Sequence, residues 1–460
     1  MLKKFTLGLL LLATAHVQAQ AKLDVPYQRF IMPNGLNVVL HEDHTTPTVS
    51  VNIWYHTGSG SEKPGRTGFA HLFEHVLFEG SKNVPEGGFD QWLEAAGGNN
   101  NGSTNPDRTN YYEDLPANAL ELALFLESDR MGYMLEAMTP GKVDGQRDVV
   151  KNERRERYEN SPYGLAFPVL GENLYQANHP YHWPTIGYMD DLNAASFEDV
   201  VEFFRKYYTP ANASLVIAGD IDPVKTRQLV EKWFSEVQGR PRPEPLDFPP
   251  AVLTKEKRLV LEDRVQLPRV YMAWLTPPKL SPGDAEMDVV ANVLAGGKNS
   301  RLYKRLVYEM QIAQDVSAFQ SSREASSFFC VIATARDGHT LAELEKVVQE
   351  EIDKLKAQPP ELREVQRVIN QYEAAFLSGL ELVSNKSDQL NDYYKVTGNP
   401  DYFNEDLSRY LALEPDDVRS AVLTFLKNDG RVILSIVPKG KLNLAAEGSK
   451  QIAGERTPIN

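Results

Sequence analysis

The strongest constraint on the fold is a Pro-rich passage near the middle of the chain, with two similar stretches of sequence on either side of it. Gly239-Arg240-Pro241-Arg242-Pro243-Glu244-Pro245, followed by Pro249-Pro250, favours an extended linker over any packed element. One fixed displacement lays Val150, Asn152 and Glu153 over Val368, Asn370 and Gln371. The same displacement lays Val200 over Val418 and Leu215-Val216-Ile217 over Ile433-Leu434-Ser435. A repeat this long predicts one fold used twice, and 460 residues suit two domains better than one core. The expected bounds are 22–238 for the first domain, 239–250 for the linker, 251–440 for the second domain and 441–460 for a flexible tail.

Local patterns within the first half set the fold class. Phe30-Ile31-Met32, Pro33-Asn34-Gly35 and Asn37-Val38-Val39-Leu40 read as a hairpin around an Asn-Gly turn. Val49, Val51, Ile53 and Tyr55 alternate along the next strand. Thr67 is placed to cap a helix that ends before Gly80, Pro116 opens another, and a third runs from about Val143 to Tyr158. Ser196-Phe197-Glu198-Asp199 starts an amphipathic helix leading into the strand Ser214 to Ala218. Hairpins mixed with packing helices predict an α+β architecture, each domain a mixed or antiparallel sheet packed with helices, rather than strict βαβ winding.

Composition removes several function classes. A formal charge of -14 excludes the basic footprint that a nucleic-acid partner requires. Lys3 and Lys4 precede the apolar run Leu7 to Ala15, and small residues end at Val17-Gln18-Ala19 or Ala19-Gln20-Ala21. Residues 1–21 are therefore expected to be a signal peptide, and the mature chain to be exported, periplasmic or secreted. The run is too short to span a bilayer, so no stable membrane insertion is expected. The single Cys330, in Phe328-Phe329-Cys330-Val331-Ile332, forms no intramolecular disulfide and reads as a buried core thiol.

His71-Leu72-Phe73-Glu74-His75 is the stretch that carries chemistry. On a helix, His71 and His75 (i, i+4) project from one face and can reach one metal ion together. Glu74 stands beside them, close enough to act on water at that metal. The order His-x-x-Glu-His reverses the HExxH of zinc peptidases. A catalytic zinc takes three protein ligands, so a third must come from elsewhere. In Gln146-Arg147-Asp148-Val149-Val150-Lys151-Asn152-Glu153, Glu153 lies i+3 and i+4 from the two valines and shares their inward stripe. Glu153 has an alternative role as an arginine-paired surface carboxylate. Glu156 and Glu159 compete for the ligand role from further toward the charged face.

Together with Val-Val-Lys-Asn-Glu ending at Glu153, these residues resemble the pitrilysin/insulinase family of zinc peptidases. The likeness is greatest to its half-length subunits, which include the mitochondrial processing peptidase. It extends over nearly the whole mature chain, through Asn101-Gly102-Ser103-Thr104, Arg108-Thr109-Asn110-Tyr111-Tyr112, Ser161-Pro162-Tyr163-Gly164 and Phe204-Arg205-Lys206-Tyr207-Tyr208. The resemblance implies one Zn2+ held by His71, His75 and Glu153, with Glu74 as general base in peptide hydrolysis. It implies that Asn101, Gly102 and Ser103 bind substrate as an added β-strand; an ordinary polar turn is the alternative for Asn99-Asn100-Asn101-Gly102. It also implies that the two domains form one bowl-shaped half of a chamber. His71, Glu74 and His75 fall opposite Val289, Asn292 and Val293, so only the first domain carries the metal chemistry.

Two positions depart from the family pattern. Gln146 stands where many members place a Glu seven residues before the third ligand. Val307 and Gln314 stand where single-chain relatives place an Arg and a Tyr that contact substrate. The expected partner is therefore a second, metal-free family member that supplies the Arg/Tyr pair in a heterodimer, with a homodimer as second choice. A non-catalytic binding or assembly subunit of the same fold is the competing reading of function. Gly97-Gly98-Asn99-Asn100-Asn101-Gly102-Ser103-Thr104 imitates a phosphate loop, but Ser103 occupies the place of the required Lys. His179-Pro180-Tyr181-His182 has metal-like spacing but is expected to be loop packing, since Pro180 and Pro184 oppose a helix. His41, His44, His56 and His339 are expected to be surface or hydrogen-bonded histidines, and no Gly-x-Ser-x-Gly elbow supports a serine hydrolase.

Overall fold

A computed structural model describes residues 22–453. The expected signal peptide and residues 454–460 lie outside the described residues. Among the described residues, twelve strands form two sheets of six. The first sheet contains β1 (Gln28–Ile31), β2 (Asn37–Glu42), β3 (Thr48–Tyr55), β4 (Asn99–Thr104), β5 (Thr109–Pro116) and β6 (Ala213–Gly219), in the order β1-β2-β6-β3-β5-β4. The second contains β7 (Lys257–Asp263), β8 (Arg269–Thr276), β9 (Ala313–Ser321), β10 (Ser327–Ala335), β11 (Arg431–Pro438) and β12 (Lys450–Gln451), in the order β12-β7-β11-β8-β10-β9. β6 lies between β2, which it meets in parallel, and β3, which it meets antiparallel; β11 lies in the same way between β7 and β8. The two mixed sheets, each with its own helices, are the expected α+β fold used twice.

The hairpin forms as the sequence predicts. Gly35 takes φ 94 between β1 and β2, and a Cβ there would stand 2.9 Å from that of Ala211, so glycine is required on two counts. β6 and the whole of β11 except Pro438 are buried along their length, as expected of strands covered on both faces. One face of the first sheet holds Val49, Val51, Ile53 and Tyr55 against its own helices, Leu120–Ala137 among them. The second sheet packs likewise against Asp284–Ala295 and Leu341–Ala357.

The opposite faces are covered by exchange. The helix Ala166–Leu174, from the first half, buries Ala166, Val169, Leu170 and Leu174 against Tyr271, Ala273, Val432 and Leu434 of the second sheet. The helix Val383–Thr397, from the second half, buries Leu390 and Tyr393 against Val39 and Val216 of the first. Ser214 Oγ donates to Asn391 Oδ1 at 2.7 Å, and Asn391 Nδ2 donates to the Asn52 carbonyl at 2.9 Å. The 239–250 passage is extended coil, yet the halves interlock on both sides of it. The ordered chain also runs past residue 440, because Lys450–Gln451 pairs in parallel with β7 where a flexible tail was expected.

Candidate metal centre

The motif lies on the helix Phe69–Val76. Phe69, Leu72, Phe73 and Val76 recur at helical spacing and are buried, which fixes the rotation of the helix. Phe73 stacks on Phe203 at 5.1 Å and Tyr208 at 5.2 Å, and its carbonyl accepts from Tyr111 Oη at 3.3 Å. That rotation leaves His71, Glu74 and His75 on the less buried side. Thr67 does not cap the helix. Its hydroxyl donates to Asp191 at 2.7 Å, and the N-cap is Gly68 at φ 87. A Cβ at Gly68 would come within 2.8 Å of the Ile186 carbonyl, so the chain can enter here only as glycine. The unpaired amides of the first turn are met by Glu62, whose carboxylate accepts from Gly68 N at 3.0 Å and Ala70 N at 2.8 Å.

Glu153 lies near the end of the helix Pro140–Arg154. Val150 is buried as the inward stripe requires, but Val149 is exposed, so the stripe is narrower than the sequence predicts. Glu153 Oε2 stands 3.2 Å from His75 Nε2 and 3.7 Å from His71 Nε2, with its side chain only 15% exposed. Its other oxygen accepts from Arg157 Nη1 at 2.7 Å. One carboxylate oxygen of Glu153 thus faces the two imidazoles and the other an arginine, and the side chain is not the surface group of the alternative reading. Glu156 and Glu159 do not join the cluster: among the described residues, those whose ligand atoms all lie within 4.8 Å of one another are His71, His75 and Glu153.

The set fits a zinc ion. Bonds of about 2.0–2.2 Å in tetrahedral geometry place ligand atoms roughly 3.4 Å apart, and the two distances to Glu153 bracket that value. The electrostatics agree. Burial, reinforced by His75, lowers the pKa of His71 to about 4, which keeps the imidazole neutral and able to ligate. The hydrogen bond to His75 holds Glu153 below the usual carboxylate range despite its burial. The Nδ1 of His71 is buried and has no partner.

Glu74 faces the sheet edge. Burial raises its pKa, a hydrogen bond with Thr104 opposes that, and its Oε2 is buried without a partner. β4 is the free edge of the first sheet and runs past Glu74. A Cβ on Gly102 would stand 3.1 Å from Glu74 Cγ. Asn101, Gly102 and Ser103 are thus an edge strand rather than a polar turn, and Gly102 N–H donates to Asn101 Oδ1 at 2.8 Å.

The departures have structural outcomes. Gln146 Nε2 donates to Glu79 Oε1 at 2.5 Å, so a carboxylate is present there from another part of the chain. Val307 is part-buried and Gln314 exposed, while the nearby Arg301 and Arg305 are committed to Glu364, Glu350 and Glu351. His179 is buried in a loop against Tyr175 and Tyr181, and Cys330 is a buried thiol. His44 and His339 pair with surface carboxylates, whereas His41 is buried, His56 is part-buried, and both are hydrogen-bonded. Sequence reasoning missed Glu62, which carries no local signal, and Arg157, whose i+4 spacing from Glu153 was legible.

Known proteins are similar to this chain in sequence and fold. Residues 37–182 match the description "Insulinase (Peptidase family M16)", and residues 194–372 match "Peptidase M16 inactive domain". The zinc protease PqqE of Helicobacter pylori is 28% identical over 445 residues, covering 95% of this chain and 99% of that protein. A probable mitochondrial-processing peptidase subunit beta of Arabidopsis thaliana is 22% identical, covering 88% and 77%. A crystal structure of a Helicobacter pylori protease superposes with TM-score 0.85 at 26% identity, covering 90% of this chain and all of that one. The first half of the periplasmic protease PqqL of Escherichia coli superposes with TM-score 0.74 at 18% identity. It covers 91% of this chain, which in turn spans 48% of intact PqqL. The chain belongs to the pitrilysin/insulinase family of peptidases.

Proposed function

We propose that the chain is a zinc-dependent metalloendopeptidase that hydrolyses peptide bonds in peptides or unfolded segments, inside a chamber completed by a second subunit. The observation that carries this reading is the convergence of His71, His75 and Glu153 beside Glu74 at an open sheet edge. Two imidazole nitrogens and one carboxylate oxygen would hold the ion. When bound, zinc supplies Lewis acidity toward water and toward a peptide carbonyl. Glu74 takes the proton of the attacking water and passes it to the leaving amine, so the proton count closes within one residue. Burial brings its carboxyl nearer the working pH, where it can both accept and release. The main chain of β4 receives the substrate as an added strand, which tolerates varied sequences. Gly102 leaves Glu74 room there.

The chain bears no free Arg or Tyr at Val307 and Gln314, which favours a heterodimer with a metal-free family member over a homodimer. The match to the first half of PqqL supports a half-length subunit that needs a second half. Lys3, Lys4 and the short apolar run after them support export to the periplasm or beyond. No helix among the described residues is long and apolar enough to cross a membrane.

Metal analysis of the wild type and Glu153→Gln, with peptide cleavage by Glu74→Gln, tests the reading. One zinc per wild-type chain, its loss in Glu153→Gln, and loss of cleavage with zinc retained in Glu74→Gln are expected. A wild-type chain without zinc, or a zinc-loaded pair of subunits without cleavage, would refute it.

A further inference from the structure

The back of the first sheet carries a line of polar side chains that the hydrolytic chemistry does not use. Along β3, Val51 and Ile53 face the core under the first half's own helices, whereas Ser50, Asn52 and Trp54 face the exchanged helix Val383–Thr397. On β4 the same alternation turns Gly102 and Thr104 toward Glu74 and Ser103 to the back. Ser103 Oγ donates to Asn110 Oδ1 at 2.7 Å, and Asn110 Nδ2 donates to Asn52 Oδ1 at 3.2 Å. Asn52 Nδ2 and Trp54 Nε1 then donate to Asp388 Oδ1 at 3.3 and 3.2 Å. The chain of bonds crosses three strands and ends on a helix from the second half.

Arg108 closes this line at the substrate edge. Its Nη1 donates to both the carbonyl and the hydroxyl of Ser103, at 2.8 and 2.7 Å, and its guanidinium lies 4.9 Å over the Trp54 ring. The Trp54 indole is thus held by Arg108 on its face and by Asp388 at its nitrogen. Charge-assisted bonds of this kind are about twice as strong as neutral ones, and a part-buried network loses more than one bond when a member is removed. No other side chain in the line carries a positive charge.

We propose that Arg108 and Asp388 are positioning residues, through which the metal-free half holds the edge strand β4 in register beside Glu74. The inference rests on the reading of β4 as the substrate strand. It gives the second half a role within the chain itself: its helix braces the strand that its own sheet cannot reach. Neither residue touches the metal ligands, so both can be altered with the ion retained.

Amide hydrogen exchange in the full chain tests the bracing directly. Arg108→Met should speed exchange at Asn101–Thr104 about tenfold, and Asp388→Asn about threefold, with the amides of Phe69–Val76 unchanged. In a Glu74→Gln background the same changes should weaken binding of an unfolded peptide by similar factors, with zinc content constant. Arg108→Lys keeps the charge but not the paired geometry and should recover only part of the loss. Unchanged exchange at Asn101–Thr104 in a folded Arg108→Met protein overturns the proposal. If Arg108→Met fails to fold, the isosteric Asp388→Asn decides by the same criterion. Faster exchange without weaker peptide binding overturns β4 as the substrate strand, and with it the positioning role, while leaving the metal centre standing.

Discussion

Gly102→Ala should separate the general base from the metal ligands. An added Cβ would stand 3.1 Å from Glu74 Cγ and 3.3 Å from both Asn110 O and Tyr111 Cδ1, where ordinary contact is 3.4–4 Å. The Asn110 carbonyl is fixed by the ladder and the Tyr111 ring by its burial, so the Glu74 side chain must yield by a few tenths of an ångström. Such a shift at Cγ is carried to the carboxylate as about 0.5 Å, and a misplacement of 1 Å costs roughly a hundredfold in rate. A loss of about tenfold in kcat follows, equal to about 1.4 kcal/mol of transition-state stabilisation. Gly102 has an ordinary strand φ, so the backbone of β4 is not strained and KM should change little. The assay is steady-state cleavage of an unfolded peptide, with zinc stoichiometry and Tm measured on the same preparation. A folded, zinc-loaded Gly102→Ala with kcat within about twofold of wild type would refute the reasoning. A loss of zinc in step with the loss of rate would refute it too, by placing the strain on the ligands.

Two further perturbations read the scaffold. Arg130 is buried 2.6 Å from Glu127 and 4.0 Å from Glu113, with the rings of Phe78, Phe89 and Tyr111 within 4.9 Å. Arg130→Met leaves the buried Glu127 and Glu113 pair without its cation and should cost about 3–5 kcal/mol in urea unfolding; a loss below about 1 kcal/mol would contradict the charge-pairing account. Asp43, immediately after β2, pairs with Lys386 of the exchanged helix. Burial would raise the Asp43 pKa, but the bonds from Lys386 and Thr45 outweigh it and hold it well below the usual range. The pair's stabilisation is therefore present above the unfolded pKa of about 3.9 and lost as pH falls through the lower folded value. Asp43→Asn should lower Tm at neutral pH, and its Tm should fall less than that of wild type between about pH 6 and about pH 2; equal acid sensitivity would contradict the assignment.

The features legible in the sequence were local or periodic. The repeat was visible because the buried strands and the helices before them keep apolar residues at matching positions, as at Leu215-Val216 and Ile433-Leu434 and at Val200 and Val418. The face shared by His71 and His75 follows from helical spacing alone. What was hidden depends on contacts remote in sequence. Thr67 has the chemistry of a cap, but Asp191 takes its hydroxyl, and Glu62 reaches the helix from a preceding loop. Val149 looks like a core residue until tertiary packing exposes it. The exchange of Ala166–Leu174 and Val383–Thr397 left no trace in either helix, because an apolar stripe does not say which sheet it covers. Asn52 and Asp388 are far from Ser103 and Asn110 in the chain, and only the register of β3, β4 and β5 and the docking of the exchanged helix align them.

The central claim is that Glu74 works as a base beside an ion held by His71, His75 and Glu153. The most direct test is cleavage of an unfolded peptide by the chain and its partner subunit, comparing wild type with Glu74→Gln at equal zinc content. The account predicts that Glu74→Gln retains the metal and the peptide while its kcat falls by about 10²–10⁴-fold, the range for removing a general base. Equal rates at equal zinc would contradict it.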